Sequence, residues 1–420
     1  MTDSRKEKTS VAKQLGPGLI TGAADDDPSG IATYSQAGAQ FGYGLMWTML
    51  LTYPLMSAVQ LVSAHIGRVT GRGLAQNMRE VMPDWLLTVI VAILFLANTI
   101  NIGADIAAMG DAAQMVMGWG DHWFTIFFAL FSLILQILVP YHRYARVLKW
   151  LTLTLLAYAA VVFVVKVDWT AAAIGFVVPN LEGPQAVATI VAIFGTTISP
   201  YLFFWQTAQE VEEIEDHDDE KPLIEAPEQA PAEIKRMRID TLVGMAFSNV
   251  IALAIMIAAA ATLHQQGITE IDTAADAAKA LQPVAGNFAF ALFAMGIIGT
   301  GLLAVPVLAG SAAYAVSNAR GWRCGLEHRL RDAPGFYAVI ALATLLGIAL
   351  DWSNIPPLQA LFWSAVINGF AAVPIMAVMM IIATRKAIMG EFRIHGSLLF
   401  FGWAATLVMG AAAVAMLIWR

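Results

Sequence analysis

Charge is scarce in this chain. Only 13% of its 420 residues are Asp, Glu, Lys or Arg, against roughly a quarter in a soluble domain. With 58% hydrophobic residues, the composition excludes an ordinary soluble domain and points to a membrane protein. Cysteine is almost absent. Cys324 stands alone, which excludes a disulfide framework and any cysteine metal cluster. There is no basic excess either, and a formal net charge of -7 argues against a nucleic-acid partner. No His-Glu-x-x-His and no Ser/His pair at mid-span depth occurs, so an intramembrane enzyme is not expected. The polar stretch Met1 to Lys13 is followed by an apolar segment without a small-residue cleavage site, which is not a signal peptide.

What the chain has is long apolar runs. A membrane span needs about 20 mostly apolar residues, and the sequence predicts eleven: 16–43, 45–66, 86–117, 122–140, 147–167, 185–212, 239–263, 287–317, 335–351, 355–383 and 395–419. With the N-terminus in the cytoplasm, 21 of the 24 Lys and Arg residues fall in cytoplasmic segments, and only Lys166, Lys279 and Arg420 fall outside. The positive-inside rule supports this orientation, since one missed helix would scramble the count. The expected organisation is one transmembrane domain over 1–420. A cytoplasmic tail (1–15) precedes it, an acidic, proline-containing and mobile cytoplasmic loop (212–238) interrupts it, and a peripheral last helix (395–419) closes it. The expected location is the plasma membrane, multi-pass, with the C-terminus outside.

Two spans are interrupted. Span one carries Asp25-Asp26-Asp27-Pro28-Ser29-Gly30. Acids within a span are costly and default to a functional reading, usually an ion or proton path. Pro28 removes a backbone donor and Gly30 loosens the helix, which frees carbonyls to face a cavity. Span six carries Gly195-Thr196-Thr197-Ile198-Ser199-Pro200. Ordinary kinks are the alternative reading, and they suit Pro54, Pro306 and Pro374, whose neighbours are apolar. Spans one and six, however, hold matching places in a five-plus-five arrangement, 16–167 and 185–383. Paired interrupted spans in corresponding positions point to a transporter binding site, and an odd number of spans per repeat makes the repeats inverted.

Gly16-Pro17-Gly18, Asp27-Pro28-Ser29-Gly30 and the segment Gly195 to Tyr201 resemble the NRAMP family of divalent-metal transporters, over nearly the whole chain. The resemblance implies an all-α, LeuT-type inverted repeat that binds a divalent metal between the two broken helices. It maps the family's metal-binding aspartate onto Asp27 and its asparagine onto Gly30. The alanine whose carbonyl binds metal maps onto Thr196, the methionine onto Ser199 and the following histidine onto Tyr201. In span three, Gly103-Ala104-Asp105-Ile106-Ala107-Ala108 is similar to the family's proton-path helix, with Ala108 where an acid is usual. These departures resemble the NRAMP-related magnesium transporter branch, whose members move magnesium without proton coupling.

The substitutions agree in direction. A thioether selects transition metals, whereas carboxylate, hydroxyl, carbonyl and water suit hard cations. Ser199 removes the soft ligand. Gly30 removes a second ligand and opens space for magnesium, which usually keeps several waters. Asp27 is expected as the primary ligand, with Thr196 giving its carbonyl and Ser199 a hydroxyl or a water contact. Asp25 and Asp26 either line the approach or pair with helix-end amides. Asn368 faces the same cavity or makes interhelical hydrogen bonds. Asp105 and Tyr201 are candidates for an ion or proton path. All seven histidines lie at span ends or in loops, so the simplest proton carrier near neutral pH is missing; Asp105 and Asp111 remain as carriers. The expected function is uptake of Mg2+, with Mn2+ also admitted, driven by gradient and membrane potential. A proton-coupled Mn2+/Fe2+ symporter and a LeuT-type carrier of an organic solute stay open as alternatives, although three aspartates would repel a carboxylate substrate. No cofactor is expected, the metal being the transported substrate. The expected partners are that ion and the lipid bilayer, with no obligate protein partner. The acidic run from Glu210 to Glu220 reads as a solvated linker, with a regulatory cation sensor as its alternative.

Overall fold

The computed structural model describes residues 21–22, 24–139, 151–179, 183–217, 219–326, 328–352 and 355–418. The tail 1–15, Gly16-Pro17-Gly18, and the basic residues Arg143, Arg146 and Lys149 lie outside them. Among the described residues all regular structure is helical. The main helices are α1 (Pro28–Phe41), α2 (Trp47–Thr70), α3 (Asp84–Met117), α4 (Asp121–Leu138), α5 (Leu156–Val164), α6 (Pro184–Thr197), α7 (Pro200–Asp216), α8 (Ala230–Thr262), α9 (Ala289–Arg320), α10 (Pro334–Ile348), α11 (Pro357–Thr384) and α12 (Gly396–Ile418). Each of the eleven expected spans holds a helix, and span six holds two, α6 and α7. Trp169–Val177 forms a further short helix that the hydropathy did not predict. Its N-cap is Asp168, which accepts hydrogen bonds from the Thr170 and Ala171 amides, each at 3.0 Å.

The ends of these helices are marked by exposed tryptophans. Trp85 and Trp322 flank one end of the α3–α9 pair; Trp119, Trp123, Trp169 and Trp352 stand at the other. Amphipathic indoles collect at the two membrane–water interfaces, so the rings bracket the apolar slab. Within it, α3 packs against α9, α10 and α11, while α2 packs against α7, α8 and α12. The helices of the interrupted spans, α1 and α6, lie between these groups and touch each other and α11.

The structure corrects the expected loop at 212–238. α7 continues to Asp216 and α8 begins at Ala230, which leaves a connector of 217–229. The described part of that connector is docked on the end of α2, although much of it faces solvent. The Leu223 amide donates to the Arg68 carbonyl at 3.1 Å and the Ile224 amide to the Val69 carbonyl at 3.2 Å, while Leu223 itself is buried. Arg68, wholly buried, lies 2.6 Å from Glu220 and 2.8 Å from Glu233. Arg236 reaches Glu210 at 2.8 Å and Glu233 at 2.9 Å. Of the acids that look solvated in sequence, Glu210, Glu213 and Glu220 are held by arginines supplied from α2 and α8, while Glu215, Asp216 and Asp219 are exposed. Removing one partner of such a buried pair costs about 3–5 kcal/mol.

Candidate metal centre at the two helix breaks

Both breaks are built the same way. A residue before proline is pushed out of the helical region by the proline ring, and proline itself suits the first position of a new helix. Asp27 (φ -70°, ψ 171°) and Ser199 (φ -77°, ψ 133°) are extended, and Pro28 and Pro200 start α1 and α7. Proline also lacks the N–H that would bond four residues back. The Thr196 carbonyl therefore loses its helical partner at Pro200, as the sequence suggested. In this structure the Ser199 hydroxyl takes that carbonyl at 2.7 Å and the Gly195 carbonyl at 2.8 Å. The break in span six closes on itself.

Asp27 is the centre of the cluster. One carboxylate oxygen accepts from the Gly30 amide at 2.8 Å and the Ser29 hydroxyl at 2.6 Å. This is an N-cap on α1, with the positive end of the helix dipole beside the charge. The other oxygen accepts from the Asn101 amide at 3.2 Å and the Tyr201 hydroxyl at 3.4 Å. Ser29 and Thr196 hydroxyls lie 3.2 Å apart across the two breaks, and those of Tyr34 and Thr197 lie 3.1 Å apart. The structure thus brings Asp27, Gly30, Thr196, Ser199 and Tyr201 together. A Cβ placed on Gly30 would stand 3.3 Å from the Tyr34 ring and 3.4 Å from the Thr196 hydroxyl. The space opened by glycine is therefore shared with those two groups in this conformation.

Asp25 and Asp26 share none of the hydrogen-bond partners of Asp27. The Ser248 hydroxyl on α8 donates to both, at 2.6 Å and 3.1 Å, and each keeps one buried oxygen without a hydrogen-bond partner. Asp105 is fully buried with neither oxygen partnered. Asn368 is buried on α11 with its whole amide unpartnered, and no interhelical hydrogen bond holds it. Asp111, one and a half turns beyond Asp105, is half-buried. No Lys or Arg ion pair reaches any of these aspartates among the described residues. Burying uncompensated carboxylates costs several kcal/mol each, and a cation offsets that cost. No three His, Cys, Asp or Glu side chains converge as a cage among the described residues. A bound ion would therefore take hydroxyl, carbonyl, amide or water oxygens beside the carboxylate.

Sequence reading missed Asn101, Ser29 and Ser364, whose hydroxyl donates to the Asn101 side-chain oxygen at 2.7 Å and so orients its amide toward Asp27. The signal was available: Asn98, Asn101 and Asp105 recur three and four residues apart in the apolar α3, and such residues share one helix face. The centre is closed. Asp25, Asp27, Ser29, Thr196, Ser199 and Tyr201 are each exposed by 1% or less. A cavity of about 490 Å³ opens at the other end of α1, lined by Ala32, Gln36, Gln40 and Thr189 with Glu270 and Asp272 of the loop after α8. It stops about one turn from the break.

Comparison with known proteins decides the family. Residues 18–419 match the family described as "Natural resistance-associated macrophage protein-like", Nramp. The chain belongs to the Nramp family. It is similar to the divalent metal cation transporter MntH of Acidiphilium cryptum, 26% identical over 91% of this chain and 84% of the relative. The MntH of Deinococcus radiodurans is 25% identical over 94% and 87%. Among solved structures, a variant of the Eremococcus coleocola manganese transporter superposes with a TM-score of 0.77 at 15% identity, covering 99% of this chain and 88% of that one. MHP1, a nucleobase-cation-symport-1 family transporter in a closed conformation, gives 0.58 at 11% identity, covering 96% and 92%. These likenesses show the LeuT-type fold. This Nramp chain is a multi-pass membrane transporter and not an enzyme.

Proposed function

We propose that this divalent-metal transporter carries Mg2+, admits Mn2+, and works by alternating access without obligatory proton coupling. The observation that supports the reading is the donor set at the breaks. The groups that hydrogen-bond around Asp27 are hydroxyls, a phenol, an amide and backbone carbonyls, and no thioether or imidazole takes part in these bonds among the described residues. Hard oxygen donors suit magnesium and manganese, and the missing thioether removes the preference for softer metals. In this reading Asp27 supplies the charge, Thr196 and Ser199 supply oxygens once the span-six break opens, and Asn101 and Tyr201 hold the carboxylate in place. Gly30 leaves room for retained water when Tyr34 moves aside.

Flux through proteoliposomes tests the proposal. Mg2+ and Mn2+ should enter with the wild type. Asp27→Ala should lower both at least tenfold, and Ser199→Met should shift the ratio toward Mn2+. Exclusion of Mg2+ by the wild type would refute the substrate, and undiminished flux in Asp27→Ala would refute the centre. One observation favours a second reading, a proton-coupled manganese carrier. Asp105 is buried without a partner one turn from Asn101, which is how an available proton carrier would look.

A further inference from the structure

A second cavity, of about 550 Å³, lies away from the breaks between α2, α8, α12 and the connector that precedes α12. Along α2 it is faced by Tyr53, Ser57, Leu61 and His65, a single stripe with i, i+4 spacing. From Tyr53 to His65 this stripe rises about 18 Å, close to half of the roughly 30 Å hydrocarbon core. The groove therefore spans about one leaflet. Its two ends differ in chemistry. Leu242 and Phe401 face the deep part, Arg238 stands about half-way along the stripe, and Arg393 and His395 follow Phe392 at the His65 end, with Glu391 as the one acid.

Three observations give this groove an occupant. Arg238 and Arg393 are exposed and form no ion pair among the described residues, unlike Arg68 and Arg236 nearby. Ser57 is 3% exposed, yet its hydroxyl has no hydrogen-bond partner, although it faces the groove. The heights also match. α2 and α8 run antiparallel, with the Asn249 amide on the Met49 carbonyl at one end and Arg68 on Glu233 at the other. Counting equal steps from the first pair brings Arg238 level with Gln60, about 4.5 Å along the axis from Ser57. A positive end, a buried hydroxyl one turn deeper and an apolar floor match phosphate, ester and acyl chain in turn.

We propose that this groove binds an anionic phospholipid of the leaflet that faces the basic end of the chain. The phosphate would sit between Arg238 and Arg393, a chain ester would accept from Ser57, and an acyl chain would lie along Leu61 and Phe401. Basic pockets between helices on the cytoplasmic side are suited to anionic headgroups. The lipid would line the seam where α12 packs on α2 and would bridge it to α8.

Native mass spectrometry of the delipidated full chain, offered equal phosphatidylglycerol and phosphatidylcholine with the same acyl chains, tests this. The wild type should retain phosphatidylglycerol preferentially. The Arg238→Ala/Arg393→Ala double variant should lose that preference by about thirtyfold, from about fivefold per arginine. Ala58→Trp, which fills the groove, should release the lipid without touching either charge, and Arg72→Ala, at the same end but outside the groove, should change nothing. Equal retention of both lipids, an unaltered preference in the double variant, or displacement of phosphatidylglycerol by inorganic phosphate alone would overturn the proposal. So would a second copy of the chain occupying the face in place of lipid.

Discussion

Asp27 has two separable duties, because the same carboxylate that faces the centre also caps α1 through the Gly30 amide. The two duties depend on different properties. Capping needs a short side chain with an acceptor oxygen, and asparagine serves as well as aspartate there. Holding a cation needs the charge. Asp27→Asn should therefore unfold at nearly the wild-type temperature yet carry metal at least tenfold more slowly. Asp27→Ala should lose both transport and about 1 kcal/mol of stability, the usual cost of a lost cap. Thermal unfolding in detergent, set beside metal flux, separates them. If Asp27→Asn transports normally, the carboxylate is a cap and nothing more. Gly195 shows a different constraint at the same scale. A Cβ there would stand 1.9 Å from the Ala365 carbonyl oxygen, so glycine is needed for α6 to cross α11 at the height of the break.

At the scale of helices, α7 is tied to α9 and to the segment that follows it. Its Glu212 accepts a short hydrogen bond from the Tyr314 hydroxyl of α9 and one of 2.9 Å from the Leu326 amide, and Trp205 meets the Tyr314 ring edge-on. Opening the centre toward the end where α7 terminates would part α7 from α9 and break these bonds. A hydrogen bond to a charged group contributes about 1.5–3 kcal/mol, so Tyr314→Phe should raise the open population at least about tenfold. A Thr21→Cys reporter, placed where Thr21 now donates to Gln206, would read this as faster labelling by an impermeant maleimide. Burial, with Glu212 and Glu215 adding, pushes the native Cys324 thiol up to about 12, which keeps it slow toward maleimide; Cys324→Ser removes it altogether. Unchanged labelling would show that this tie does not hold the centre closed. Elements of this kind differ in how well sequence reveals them. The breaks were legible, since Asp-Pro and Ser-Pro act on the backbone locally. The pairs of Arg68 with Glu220 and Glu233 and of Arg236 with Glu210 were not, because their acids lie 152, 165 and 26 positions away and look like a solvated run. The Ser248 hydroxyl that takes up Asp25 and Asp26 was hidden likewise, lying more than 200 positions from them.

For the whole molecule the open matter is what drives the ion. The acids on α3 leave two choices: the dication moves alone and carries charge, or an acid such as Asp105 or Asp111 carries a proton with it. A dication crossing an inward potential of about 100 mV gains roughly 4.6 kcal/mol, enough for an accumulation of about 2,000-fold at 1.4 kcal/mol per tenfold. No proton is needed on energetic grounds. No histidine joins the hydrogen bonds around the breaks among the described residues; His65 donates to the Phe392 carbonyl and His264 to that of Ala39, both away from the centre. In liposomes with a potassium diffusion potential and an internal pH dye, Mg2+ uptake should grow as the interior is made more negative. It should proceed with equal pH on both sides and leave the dye unchanged. Asp105→Asn should then keep the dependence on potential, because no proton would be moving through that residue. Internal acidification that requires both Mg2+ and Asp105 would reverse the assignment. It would make the buried, unpartnered carboxylate on α3 a coupling group, and proton-coupled metal symport the function of the chain.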